Sequence, residues 1–297
     1  MLALSRSVHC KSTHRIERQL LQSSFGNRLA EILASKSQLC VGLDPSFDQL
    51  NKWELEFSAQ GAEQFCIEIL DACQNKVAMV KPQVSFFEQF GSVGYAALER
   101  VLQRAISQGF LVIADGKRGD IGTTMDGYAR AWLSTDAPFL ADAVTVSPYL
   151  GPDSLEHFCR FALQNHKGVF VLAATSNQEA NSLQSALAPG ETTVAGSVAV
   201  FAKQFTAKEL GSVGVVLGAE TDLEAMGIEF NDLEDMPILA PGFGAQGANL
   251  SDAKALFDSL APNVIFSVSR SVAGESLSGL RDRVQSAIEE LEIGLST

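Results

Sequence analysis

From about residue 38 the chain repeats one rhythm: a short apolar run, a loop rich in Gly, Pro, Asp or Ser, and a longer stretch with helical periodicity. The apolar runs are LCVGLD (39–44), VAMVKP (77–82), FLVIAD (110–115), AVTVSP (143–148), GVFVLAAT (168–175), VGVVLG (213–218), MPILAP (236–241) and NVIFSV (263–268), eight in all. They lack regular polar alternation, as expected of parallel strands covered on both faces. Each is followed by a segment that predicts an amphipathic helix, among them GAEQFCIEILDACQN, GYAALERVLQRAISQ, DSLEHFCRFALQN, SVAVFAKQFTAKEL and ESLSGLRDRVQSAIEELE. In the last, Leu277, Leu280, Val284, Ala287 and Leu291 recur at spacings of three and four, the mark of one buried face. Eight β-then-α units in about 250 residues predict an α/β fold closed as a (β/α)8 TIM barrel, with a doubly wound open sheet as the rival.

In such a barrel the chemistry sits at the C-terminal ends of the strands. Polar residues do gather there: Asp44 ends the first run and Lys81 stands at the end of the second; Asp115, Lys117 and Asp120 end and follow the third; Ser147 is at the end of the fourth; Thr175, Ser176 and Asn177 end and follow the fifth; GFGAQG follows the seventh; and Ser269 and Arg270 follow the eighth. LVIADGKRGDIGTT (111–124) is the densest stretch. A solvated loop with a surface ion pair is its plain reading. Leaving a strand that lines the barrel, beside Lys81 on the neighbouring strand, it instead alternates two lysines with two aspartates. Alternation keeps all four groups charged, because opposite charges offset desolvation.

Aspartates alone could hold Mg2+, but a lysine between them competes with the cation. His9, His14, His157 and His166 all fall outside the strand-end loops, which argues against zinc and against a Ser-His-Asp triad. What remains for Lys117 is a Schiff base or proton donation. Flanking carboxylates raise an amine's pKa, whereas a Schiff base needs it depressed, so a charged general acid is the better expectation. At the other side of the barrel, LAPGFGAQGANL (239–250) offers Gly242, Gly244 and Gly247 before a helical segment. Glycines let backbone N–H groups approach an anion, and Arg270 adds a forked contact, so this end is the expected phosphate site.

Composition narrows the partners. Twenty-two basic against 35 acidic residues give a formal charge of −13, which disfavours nucleic acid and anionic membranes. No apolar run approaches the roughly 20 residues needed to cross a bilayer. The five cysteines are scattered, odd in number and never C-x-x-C, which fits a reducing cytoplasm and signals neither zinc nor a disulfide framework. Residues 1–22 hold Arg6, Lys11, Arg15 and Arg18 against one acid, Glu17. They are expected to form an N-terminal arm outside a barrel domain of 23–297, although an upstream start or an organellar transit peptide has the same composition.

VGLDP, KPQVSFFEQFG, IADGKRGDIGTT, LAPGFGAQG and SVSRS stand in order at the ends of runs one, two, three, seven and eight. Over roughly residues 24–292 the chain resembles the orotidine 5′-phosphate decarboxylase family, in its longer bacterial-type branch. The resemblance implies a homodimer that converts orotidine 5′-monophosphate to UMP and CO2 with no metal or organic cofactor. It implies that Asp44 binds a ribose hydroxyl and that Lys81 joins ribose and the charge network. Asp115 would face the leaving carboxylate, and Lys117 would protonate C6. Asp120 and Thr124 would reach into the partner's site, Ser176 would hold the pyrimidine edge, and Gln246 and Arg270 would grip the phosphate. Gly116, where the family commonly has Ala, and AATSNQEA (173–180) depart from its pattern. The nearest alternative is an Mg2+-dependent decarboxylase or synthase acting on 3-keto-sugar or hexulose phosphates, which shares D-x-K-x-x-D.

Overall fold

All eight apolar runs form strands: β1 (Leu39–Leu43), β2 (Met79–Pro82), β3 (Leu111–Arg118), β4 (Ala143–Val146), β5 (Gly168–Ala174), β6 (Val213–Leu217), β7 (Ile238–Pro241) and β8 (Val264–Val268). In this computed structural model they pair in parallel in chain order, and β8 closes on β1, giving a barrel without an edge. The structure describes residues 23–296 apart from Lys36, Pro189, Glu191, Ala207, Lys208 and Gln246. The expected arm (1–22) and the phosphate candidate Gln246 therefore lie outside the described residues.

Successive strand residues face opposite sides of a sheet, and this splits the core in two. Outward-facing Val41, Val80, Val112, Val144, Val171 and Val215 pack under the surrounding helices. Inward-facing Cys40, Met79, Leu111, Ile113, Ala143, Phe170, Val216, Leu239 and Ile265 fill the barrel. Two residues further along the same inward rows the side chains turn polar: Met79 gives way to Lys81, Ile113 to Asp115, Ala143 to Thr145 and Ile265 to Ser267. These four polar residues are all buried. A period of two thus carries each strand from an apolar base to a chemical rim.

The base is stoppered. Helix Phe25–Ser35 places Phe25 and Leu29, both fully buried, against the inward rows. Its close approach depends on Gly26, where a Cβ would lie 2.0 Å from the Leu210 carbonyl oxygen. The Gly26 amide donates to Ser212 Oγ at 2.9 Å, and Arg28 pairs with Asp142 at 2.9 Å, just before β4.

The expected helices form at Ala59–Cys73, Gly91–Ser107, Glu156–Gln164, Val194–Lys203 and Leu280–Ser296. Three expectations need correction. The helix expected over SVAVFAKQFTAKEL (197–210) starts earlier, at Val194, and stops at Lys203. The last helix starts at Leu280, not near Glu275, because Gly274 and Gly279 adopt positive φ (63° and 73°); Leu277 precedes it and stays 43% exposed. The segment after β6 contributes a 3-10 turn, Phe230–Leu233, in place of an amphipathic α-helix. Among the described residues no helix is long and apolar enough to cross a membrane.

Candidate active site

Asp115 organises the barrel's rim. Its Oδ1 takes the Lys117 ammonium at 2.6 Å and a hydrogen bond from Thr145 Oγ1 at 2.8 Å, while Oδ2 takes the Lys81 ammonium at 3.2 Å. Thr145 Oγ1 in turn accepts from the Lys117 amide at 2.9 Å. Asp115 and Lys81 are buried, whereas the Lys117 side chain is 46% exposed and reaches toward the opening.

Local backbone geometry makes this possible. Ala114 pairs with Val144, but the next pairing is Arg118 with Val146, so β3 carries two extra residues in a bulge. Within it Lys117 adopts φ +45°, uncommon for a residue with a side chain. Gly116 is not at positive φ, and a Cβ there would meet nothing nearer than 3.6 Å, so the alanine common in the family would also fit. Arg118 turns outward to pair with Glu88, which also accepts from Tyr95 Oη at 2.8 Å.

Burial by itself would raise the Asp115 carboxyl, but the Lys81 and Lys117 ammonium groups and the Thr145 hydroxyl hold it well below the usual carboxylate range. Burial would likewise lower Lys81, but Asp115 and Asp44 push it above the usual lysine range. Cys40, beneath them in the barrel, is pushed up to about 12 by burial. Asp115 and Lys81 therefore hold each other ionised at neutral pH. The expected alternation of two lysines with two aspartates is met only in part, because Asp120 takes no place in this network.

A cavity of about 350 Å3 opens over this network, and its walls include Asp44, Lys81, Asp115, Lys117, Ser176, Ser269 and Arg270. Asp44 Oδ1 is buried and accepts no hydrogen bond among the described residues. Gly242, Phe243 and Ala245 form the wall from the glycine-rich loop. Gly244 stands behind them at φ +74°, where a Cβ would lie 2.6 Å from Ser271 Oγ. The helical segment after that loop begins only at Leu250, as a 3-10 turn. Asp120 and Thr124 do not line this cavity: Thr124 is exposed, and Asp120 accepts from the Ile121 amide at 2.8 Å.

Sequence reasoning missed several wall residues. Thr145 is the inward polar residue of β4, whereas Ser147 donates its amide to the Arg118 carbonyl at 2.7 Å. A lone threonine between valines, in register with inward Ala143, was the available signal. Gln83, Ser267 and the apolar trio Leu172, Val216 and Leu239 also line the wall, as do the expected strand-end residues Thr175 and Asn177. A larger groove of about 550 Å3 at the barrel base is lined mainly by Ala, Leu and Pro and gathers no comparable charge network. Among the described residues no three His, Cys, Asp or Glu side chains are grouped so as to hold a metal ion.

The profile of the orotidine 5′-phosphate decarboxylase / HUMPS family matches residues 37–278. The orotidine 5′-phosphate decarboxylase of Salinispora arenicola is 44% identical over 270 residues, covering 88% of this chain and 95% of its own. That of Streptomyces coelicolor is 42% identical over 262 residues, covering 86% and 93%. A crystal structure from Streptomyces avermitilis, assigned to the same enzyme, superposes with a TM-score of 0.87 at 39% identity, covering 93% of this chain and 97% of that one. Leishmania donovani OMP decarboxylase superposes at 0.73 with 32% identity, covering 92% and 100%. With the barrel, its charged rim and these relatives in agreement, the chain belongs to the orotidine 5′-phosphate decarboxylase / HUMPS family.

Proposed function

We propose that this chain decarboxylates orotidine 5′-monophosphate to UMP and CO2, with Lys117 as the proton donor to C6. The observation that carries the reading is the buried Lys81–Asp115–Lys117 chain, with its one exposed ammonium reaching into the cavity. The C6–carboxylate bond breaks, its electron pair stays on C6, CO2 leaves, and a Lys117 N–H proton is transferred to C6. Lys117 then recovers its proton from solvent.

The substrate carboxylate enters beside Asp115, and two like charges at ~4 Å repel by roughly 4 kcal/mol at an effective dielectric of 20. Loss of CO2 relieves that repulsion. A few kcal/mol is far short of typical enzymatic accelerations, which correspond to about 8–23 kcal/mol. The remainder falls to electrostatic stabilisation of the C6 carbanion by the fixed Lys117 ammonium and to phosphate binding energy. Asp44, with its unpartnered buried oxygen, suits a ribose hydroxyl, and Lys81 joins the ribose to the charge network. Ser176 takes the pyrimidine edge, while Arg270, with Gln246, takes the phosphate; Gly244 and Ser269 shape that end.

Asp120 and Thr124 act in the neighbouring subunit of a homodimer. They lie outside their own chain's cavity, beside Ile121 at 61% exposure, and the loop after β4 shows Tyr149 at 77% and Leu150 at 53%. The Mg2+-dependent sugar-phosphate reading fits less well, since both Asp115 oxygens already accept from ammonium groups. The deciding experiment follows the absorbance of orotidine 5′-monophosphate after adding chelator-treated protein. A decrease with UMP formation supports the reading, and no conversion rejects it.

A further inference from the structure

Arg283 lies on helix Leu280–Ser296 and lines no part of the cavity, yet its guanidinium is committed to the backbone immediately after Arg270. Its Nε donates to the Val272 carbonyl at 2.7 Å, and Nη2 donates to Ala273 at 2.7 Å and Ser276 at 2.6 Å. Nη1 donates to Ser278 at 2.7 Å. The chain bends around this group at Gly274, φ +63°, where a Cβ would lie 2.4 Å from Arg283 Nε.

A second set of donors reaches the same turn from the segment after β1. Trp53 Nε1 donates to the Ala273 carbonyl at 3.1 Å, Gln49 Nε2 to Gly274 at 2.6 Å, and Lys52 pairs with Glu275 at 2.8 Å. The helical turn Arg270–Ala273 is only four residues long, and a helix leaves its last carbonyls without internal partners. Here those carbonyls are gathered by side chains whose positions are set elsewhere in the fold. The Arg270 side chain itself is exposed and projects from the first residue of this turn, so its aim follows the backbone.

We propose that Arg283 is a positioning residue for the reaction: by holding the carbonyls of Val272, Ala273, Ser276 and Ser278 it sets the turn from which Arg270 meets the substrate phosphate. Trp53 and Gln49 hold the same turn from the side of Asp44. An always-charged planar fork can serve several carbonyls at once, which a lysine ammonium in its place cannot reproduce. The proposal rests on the phosphate assignment of Arg270 made above.

The test compares wild type, R283K, R270A and the double variant on orotidine 5′-monophosphate and on orotidine, the nucleoside lacking the phosphate. For R283K, kcat/KM on the nucleotide is expected to fall about tenfold or more, since small misplacements of positioning groups are costly. The fall on the nucleoside should be much smaller. In the double variant the loss should stay close to that of R270A alone, because two residues acting through one contact are not additive. W53F, which removes a single donor to the turn, should shift kcat/KM in the same direction by less, and it carries the comparison if R283K does not fold. Equal losses on both substrates, losses that multiply in the double variant, or an unaffected R283K overturn the positioning role. If R270A keeps the wild-type kcat/KM, the phosphate assignment falls and this role with it; a loss in R270A without one in R283K rejects the positioning role alone.

Discussion

Asp115 and Lys117 are two residues apart on one strand, yet their charged ends meet at 2.6 Å. In a regular strand such neighbours point the same way without touching. Here the bulge in β3 and the left-handed backbone of Lys117 fold the ammonium back over the carboxylate. The Lys117 side chain is thus held against Asp115 while staying partly open to the cavity.

Lys117→Ala is expected to abolish turnover while leaving substantial affinity for UMP, because the proposed mechanism assigns Lys117 to C6 and assigns ribose and phosphate to other residues. Steady-state assay and calorimetric titration of UMP check this. Turnover near wild type would remove Lys117 from its role.

Asp115→Asn leaves Lys81 buried without its principal counter-charge, and breaking such a pair costs about 3–5 kcal/mol. The Asp115 carboxyl is depressed in the folded protein, so its contribution is present above the unfolded value of about 3.9 and fades as pH falls below it toward the lower folded value. Lys81 is raised, so its contribution holds below about 10.4 and fades only at higher pH. Denaturant unfolding at pH 7 and pH 3 should show the gap between wild type and D115N shrinking on the acid side. A gap that stays constant contradicts the charge network's role in stability.

Arg270→Ala is expected to lose mainly kcat/KM, with part of the loss restored by added guanidinium, the cation that the substitution removes. Kinetics with and without guanidinium decide the matter; an unaltered kcat/KM speaks against phosphate binding at this residue.

Mixing inactive K117A with inactive D120A tests whether Asp120 works in the neighbouring subunit. Random assortment of a two-fold dimer leaves about a quarter of the sites with both native residues, so activity should return to about that level. Mixtures as inactive as either parent would mean that both residues serve one chain's own site.

Cys40, Cys66, Cys73 and Cys159 are all buried, and burial raises each thiol. The thiolate is the reactive form, so none of the four should alkylate in the native protein and all should on unfolding. Peptide mass mapping after iodoacetamide treatment reads this directly, and native-state labelling of any of them contradicts the packing.

The barrel was legible because eight apolar runs leave only a few strand orders open, and the rim because charged residues rarely end buried strands without a purpose. Thr145 was harder to read. Its importance comes from β4 lying beside the bulge of β3, a relation between strands that no single run displays. The start of the last helix was obscured because the Leu277 spacing continues the helical stripe past Gly279, where the backbone cannot follow. Asp120 and Thr124 stand out in the motif, yet neither lines the cavity of its own chain, and the motif by itself carries no sign of that.

The stopper formed by Phe25 and Leu29 makes the reaction chamber a blind cup. Among the described residues the network is therefore reached from the rim side, and a segment that swings across that side would govern the passage of nucleotide, gas and product together.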